Sequence, residues 1–293
     1  MKILLIGKNG QIGFELERVL PRLGELIAFD RTQMDLANFR QIRDVIHNVR
    51  PDLIVNAAAY TAVDNAEIEQ ELAMRINGVA PGIIAEEAKR IGAAVVHYST
   101  DYVFDGLKGS PYTEQDFTHP INIYGETKLI GEEAIKAIGI PYLILRTSWV
   151  YGMRGKNFLT TILDLAKERS ELQIVNDQHG APTWCRSIAD ITVNILGQSE
   201  KNKAKKWWEN NSGLYHLTSK GEVTWFGFAK SILAMSSMSN PPILQPINSS
   251  DYSSFAKRPG NSRLDTFRLQ RQFQVDIPMW EVDLLNCYTK SMH

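Results

Sequence analysis

The chain has 293 residues, 44% of them hydrophobic, enough to bury a full core as one large domain or two intimate lobes. Lys+Arg 32 against Asp+Glu 33 leaves a net charge of −1, so no basic excess points to nucleic acid or an anionic membrane as a partner. Two cysteines far apart, Cys185 and Cys287, suit neither a disulfide framework nor a zinc site, and the six histidines show no metal-ligand spacing.

The first apolar run, Ile3–Ile6, breaks at Gly7, too soon for a signal sequence. No later run approaches membrane-spanning length, so the expectation is a soluble, cytoplasmic protein. Ile3–Ile6, Leu26–Phe29, Leu53–Val55, Ala94–His97 and Tyr142–Leu145 each read as a short buried strand. Amphipathic stretches at Gln11–Leu20, Asn38–Val49, Gln70–Arg90 and Asn122–Ile138 read as helices between them. This alternation predicts right-handed crossovers and an α/β fold: a Rossmann-like, doubly wound parallel sheet. Ligands of such sheets sit beyond the carboxyl ends of the strands.

Past about residue 150 the texture changes to helical segments (Asn157–Lys167, Ser187–Leu196, Trp225–Met235, Trp280–Tyr288) divided by longer polar loops. The expected division is a dinucleotide-binding domain over 1–150, with segments near 185–217 returning to it. Residues 151–293 would form mainly a smaller, mixed α/β substrate lobe. The stretch Lys201–Asn211, with Lys201, Lys203, Lys205, Lys206 and Trp207-Trp208, reads as a solvated surface loop.

Directly after the first strand stands Gly7-Lys8-Asn9-Gly10-Gln11-Ile12-Gly13, a GxxGxxG turn opening a helix. The first glycine allows the tight turn, the second lets backbone approach a pyrophosphate, and the third packs helix on strand. The helix N-terminus then offers free N–H groups to the phosphates. Asp30, ending the second strand, is placed to bind an adenosine ribose 2′-OH, whereas Arg31 next to it suits a 2′-phosphate; NADH and NADPH both stay open. Asp35-Leu36 lies within reach of the adenine. Asn56-Ala57-Ala58-Ala59-Tyr60-Thr61 keeps bulk away from the end of strand three.

Strand four ends in His97-Tyr98-Ser99-Thr100-Asp101, and the only YxxxK of the chain, Tyr124 with Lys128, falls on the next helix. Residues at i and i+4 share a helix face. A phenol ionises near pH ~10, so a lysine beside it is expected to lower its pKa. A Thr100 hydroxyl can hold the same substrate oxygen.

Together these residues resemble the extended short-chain dehydrogenase/reductase superfamily, and within it the dTDP-4-dehydrorhamnose reductase family. The similarity runs through VNAAAYTAVDNAE (55–67), HYSTDYVFDG (97–106), NIYGETKLIGE (122–132), RTSWVYG (146–152), NDQHGAPT (176–183) and RPGNSRLDT (258–266). It implies an enzyme that uses NADPH or NADH to reduce the C4 ketone of a dTDP-4-keto-6-deoxy sugar, in making a sugar donor for cell-surface polysaccharide. It further implies Tyr124 as proton donor, Lys128 as its tuning partner and Thr100 as the assisting hydroxyl. Gly10, Gln11, Ile12, Asp30, Asp35, Leu36, Ala59, Tyr60 and Thr61 would lie near the dinucleotide; Thr100, Asp101 and Trp149 near the sugar.

Some members of the family form homodimers with Mg2+ between acidic side chains. Glu15 fits that pattern, but Arg186 stands where another acid is expected, so no metal ligand is assigned. Arg258 and Arg263 are candidates for the diphosphate, since guanidinium pairs bidentately with phosphate oxygens, with solvated loop arginines as the alternative. Trp149 is a candidate wall for the sugar or a core aromatic; Gln178 and Thr183 are ligand contacts or loop caps. An epimerase or dehydratase on the same scaffold, and a non-catalytic subunit that keeps the fold, are the competing functions.

Overall fold

The computed structural model describes residues 1–201, 204–236 and 238–291. In strand β1 (Lys2–Ile6), Ile3 and Leu5 join one hydrophobic cluster while Leu4 and Ile6 join another. A strand covered on both faces is apolar at every position, which explains the absence of polar alternation. Then come α1 (Gln11–Val19), β2 (Glu25–Phe29), α2 (Phe39–Val49) and β3 (Leu53–Asn56). Next are the short helices α3 (Val63–Ala66) and α4 (Gln70–Ala73), and the longer α5 (Ala80–Ile91).

The single helix expected over Gln70–Arg90 is interrupted by a π-helical turn at Met74–Val79. Pro81 accounts for it. Proline has no N–H for the carbonyl of Asn77 four residues back, and its ring crowds that carbonyl, so the turn widens. Strand β4 (Ala94–Thr100), α6 (Ile123–Ile138) and β5 (Tyr142–Thr147) complete the alternating series. Asn122 starts α6 by accepting from the Gly125 N–H at 2.8 Å, an N-cap that fixes where Tyr124 and Lys128 enter the helix.

The chain then builds β6 (Val150–Tyr151), α7 (Phe158–Glu168), β7 (Glu171–Val175), β8 (His179–Gly180) and β9 (Thr183–Trp184). It returns to the sheet through α8 (Cys185–Lys201), α9 (Ala204–Asn211) and β10 (Gly213–His216). It ends with β11 (Val223–Thr224), α10 (Trp225–Met235), β12 (Ile243–Ile247), α11 (Phe267–Phe273) and α12 (Trp280–Ser291). The loop expected over Lys201–Asn211 is thus largely helical, because Trp207 is buried and packs its ring near Phe273. Lys203 lies outside the described residues.

The main sheet has six strands in the order β10-β5-β4-β3-β1-β2, every pair parallel. Residues of α1, α8, α9 and α11 cover one face and residues of α2, α5 and α6 the other. A third cluster, around Tyr151, Leu159, Leu172, Phe228 and Leu284, forms the core of the smaller lobe, whose short strands pair two by two. Strand order reverses direction between β1 and β3, and such a switch point leaves a crevice at the carboxyl ends. Among the described residues, no helix is long and apolar enough to cross a membrane.

Candidate active site

A cleft of about 710 Å³ opens at that point, lined from the glycine turn after β1 to the residues that follow β4 and β5. Gly7 has φ +89°, and a Cβ there would meet the Ala58 backbone nitrogen at 2.8 Å. Gly13 would place a Cβ 2.0 Å from the Gly7 carbonyl oxygen, so only glycine lets α1 start this close to β1. Gly7, Gly10, Gln11 and Ile12 line the cleft, where the first-turn N–H groups of α1 lack intrahelical acceptors.

At the end of β2, the Asp30 carboxylate accepts from the Thr32 hydroxyl at 2.6 Å and the Thr32 N–H at 2.9 Å. The Thr32 hydroxyl holds it below the usual carboxylate range, with Lys8 adding to the effect. Arg31 is mostly exposed, 3.8 Å from Asp35, so an acid and two cations stand together where a ribose edge would lie. Met34, Asp35 and Leu36 line the cleft beside them, with Leu36 buried. Ala59, Tyr60 and Thr61 form the wall after β3. Asn77, from the π-turn, accepts from the Tyr60 N–H at 2.9 Å and donates to its carbonyl at 3.0 Å, fixing that wall.

At the other end, β4 delivers Thr100 and Asp101, and α6 delivers Tyr124 and Lys128. The Thr100 hydroxyl donates to Asp101 at 3.1 Å and stands beside the Tyr124 phenol. Tyr102 packs edge-on against Tyr124, ring centroids 5.8 Å apart. Burial pushes the Tyr124 phenol up to about 12, opposed by the Thr100 hydroxyl and reinforced by Asp101. The sequence pattern leads one to expect the lysine to pull the phenol down instead. Burial wins in the chain alone, because the Lys128 amine is engaged by the Tyr98 carbonyl at 2.6 Å and His97 Nε2 at 3.1 Å. Burial lowers Lys128 to about 8, partly offset by Glu132, and raises Asp101 to about 7.

Side chains from the smaller lobe close the cleft. Trp149 takes the left-handed conformation (φ +48°) and stacks on Trp225 with centroids 3.5 Å apart. A Cβ on Gly180 would lie 2.4 Å from the Trp149 ring, so glycine there makes room for it. Gln178 does not line the cleft: its carboxamide oxygen accepts from the Trp225 indole N–H at 3.2 Å and steadies that ring. Thr183 is likewise a buried loop anchor. Arg258 donates to Asp64 at 2.7 Å, near Tyr102, tying the smaller lobe to the first beside the cleft. Arg263 donates to Glu222, to Asn261 at 2.8 Å and to the Gly109 carbonyl at 2.9 Å, and it lies outside the cleft. Sequence reasoning missed Asn9, Lys156, Phe158 and Trp225, which line the cleft. Only the clustering Gly155-Lys156-Asn157 before a helix hinted at an anion-facing turn.

The family's magnesium does not fit these residues. Glu15 accepts from Arg18 at 3.0 Å, and Arg154 and Arg186 line the same small cleft of about 260 Å³. One carboxylate among three guanidinium groups repels a divalent cation, and no cluster of three or more acidic, histidine or cysteine side chains suited to a metal occurs among the described residues.

The model of the RmlD substrate binding domain family matches residues 1–292. A dTDP-4-dehydrorhamnose reductase of Burkholderia thailandensis is 46% identical over 286 residues, covering 96% of this chain and 95% of that protein. The crystal structure of a dTDP-4-dehydrorhamnose reductase from Bacillus anthracis, in complex with NADP, superimposes with a TM-score of 0.90 at 34% identity and covers 99% of each chain. A UDP-glucose 4-epimerase of Thermus thermophilus shares the fold at 16% identity and a TM-score of 0.78, over 98% of each chain. The chain belongs to the dTDP-4-dehydrorhamnose reductase family.

Proposed function

We propose that this protein uses NADPH or NADH to reduce the C4 ketone of dTDP-4-dehydro-L-rhamnose, giving dTDP-L-rhamnose for polysaccharide biosynthesis. The observation that carries this reading is the meeting of Thr100, Tyr124 and Lys128 at one end of a cleft whose other end is the glycine turn and Asp30. When bound along that cleft, the reduced nicotinamide supplies a hydride to C4.

The chain's own residues handle the proton. Tyr124, with a pKa near 12, is protonated at neutral pH and enters the step as an acid. Its O–H bond breaks as a new O–H forms on the oxygen that was the ketone, leaving a phenolate beside Lys128. Thr100, beside Tyr124, turns its one hydroxyl proton from Asp101 to the same oxygen and fixes its direction. Trp149 and Trp225 shield the sugar face from water. Residues 1–150, joined by segments near 185–217, serve as the dinucleotide unit; the rest is mainly the substrate lobe. The test is oxidation of NADPH and NADH with a panel of dTDP- and UDP-linked 4-keto sugars. Turnover with dTDP-4-dehydro-L-rhamnose supports the reading; turnover confined to UDP sugars contradicts the substrate.

A further inference from the structure

Lys128 is almost fully buried, and a chain of hydrogen bonds leads away from it across the sheet. Its Nζ lies 3.1 Å from His97 Nε2 on β4, and His97 Nδ1 lies 3.2 Å from the Asn56 carboxamide nitrogen at the end of β3. The Asn56 carboxamide oxygen accepts from the Ala58 backbone N–H at 3.2 Å. All three side chains are at most 2% exposed, so no solvent competes for these contacts.

The order of donors follows from the backbone. An amide N–H can only donate, so the oxygen of Asn56 faces Ala58 and its NH2 faces His97 Nδ1. A neutral imidazole has one donor and one acceptor; with Nδ1 accepting, the proton sits on Nε2. His97 is neutral because burial, with Lys128 nearby, holds it well below the usual histidine range. Its Nε2–H therefore points at Lys128 Nζ. An amine can accept that bond, while an ammonium has three N–H groups and no lone pair.

We propose that Asn56 and His97 are positioning residues whose one-way hydrogen-bond chain favours the amine form of Lys128, making its proton available to Tyr124. The remaining groups around Lys128 are few. Tyr124 is one helical turn before it, with Asp101 next to that phenol. Glu132, one turn after, favours the ammonium but is locked to Arg146 by bonds of 2.8 and 2.6 Å and lies 3.8 Å from Lys136. The Tyr98 carbonyl accepts from Nζ in either state. In the transfer, an N–H bond of Lys128 breaks and the O–H of Tyr124 forms; the amine left behind accepts from His97, and the lysine regains its proton from water entering the cleft that it lines. This role rests on the reductase reading, but the tautomer of His97 does not.

The experiment uses full-length protein carrying 15N-labelled histidine. NMR of the ring nitrogens is expected to show His97 as the Nε2–H tautomer from pH 6 to about 9, on the basis of the donor order above. In Asn56→Asp, a carboxylate accepts from both Ala58 N–H and His97 Nδ1–H, so the tautomer reverses and Nε2 becomes an acceptor for the ammonium. In His97→Gln, the side-chain oxygen can turn to Lys128 with the same result. Activity falls as the lysine proton is lost, so a stabilised ammonium moves the alkaline limb of the kcat profile up, by about one pH unit in each variant. An Nδ1–H tautomer in the native protein overturns the chain, and variant profiles superimposed on the native one overturn its effect. No NADPH oxidation by native protein removes the reductase reading instead, a result distinct from both.

Discussion

At the scale of single residues, the site works through hydroxyls and carboxyls moved out of water. Tyr124→Phe keeps the ring and its packing against Tyr102 but removes the acid. Turnover is expected to fall at least ~100-fold, with NADPH affinity by fluorescence titration nearly unchanged. A comparable loss in both would mean that the phenol serves binding alone. Asp101 offers a second test. Its folded pKa, about 7, lies above its ordinary 3.8, raised by burial. A raised carboxyl contributes stability that is fully present below pH 3.8 and is lost as pH rises through about 7. Asp101→Asn is therefore expected to gain stability over the native protein at pH 8, by up to ~4 kcal/mol, and to show no such gain near pH 4. Denaturant midpoints at the two pH values check it; an equal change at both contradicts the assignment.

The legibility of the chain differs from residue to residue for physical reasons. Thr100, Tyr124 and Lys128 could be found because a strand end and one helical turn fix their separation in sequence. His97 left a trace as the one ionisable side chain of the strand run Ala94–His97, though nothing local reveals its partners. Lys156, Phe158 and Trp225 come from another lobe, and only tertiary packing brings them to the cleft. Gln178 and Arg263 were chemically apt but are consumed by Trp225 and Glu222.

At the scale of elements, two close approaches set the geometry of the site. A Cβ on Gly125 would stand 2.1 Å from the Tyr102 carbonyl oxygen, and one on Gly131 would stand 2.2 Å from that of Asn77. Helix α6 thus lies directly against both the turn after β4 and the π-turn. Gly125→Ala must push α6 away from Thr100; it is expected to cost about 1–3 kcal/mol of stability and to lower kcat, measured by thermal melts and initial rates. Gly180→Ala is expected to displace Trp149 and raise the KM for the sugar several-fold while leaving that for NADPH alone. Equal shifts in both constants would argue against a sugar-side role. Strands β1, β3, β4 and β5 were legible because burial on both faces demands unbroken apolar runs, and edge strand β2, only half-buried, because Leu26–Phe29 is apolar throughout. Strand β10 was not, because Gly213-Leu214-Tyr215-His216 carries no such run and gains its burial by pairing with β5.

At the scale of the whole molecule, the smaller lobe is joined to the first near the chemistry, through Arg258 on Asp64 and the Asn122 carboxamide on the Lys257 carbonyl at 2.8 Å. The guanidinium groups around Glu15 oppose a bridging cation by their charge. Removal of divalent metal by a chelator is accordingly expected to leave turnover and sedimentation unchanged; loss of either would overturn that reading of the surface. The cleft is built for a net reduction. The most direct test follows cofactor and sugar together in one reaction with dTDP-4-dehydro-L-rhamnose. One NADPH is expected to be oxidised for every keto sugar converted to the alcohol, turn after turn. Conversion of sugar with no net oxidation of NADPH, as in an epimerase that keeps its cofactor, would contradict it.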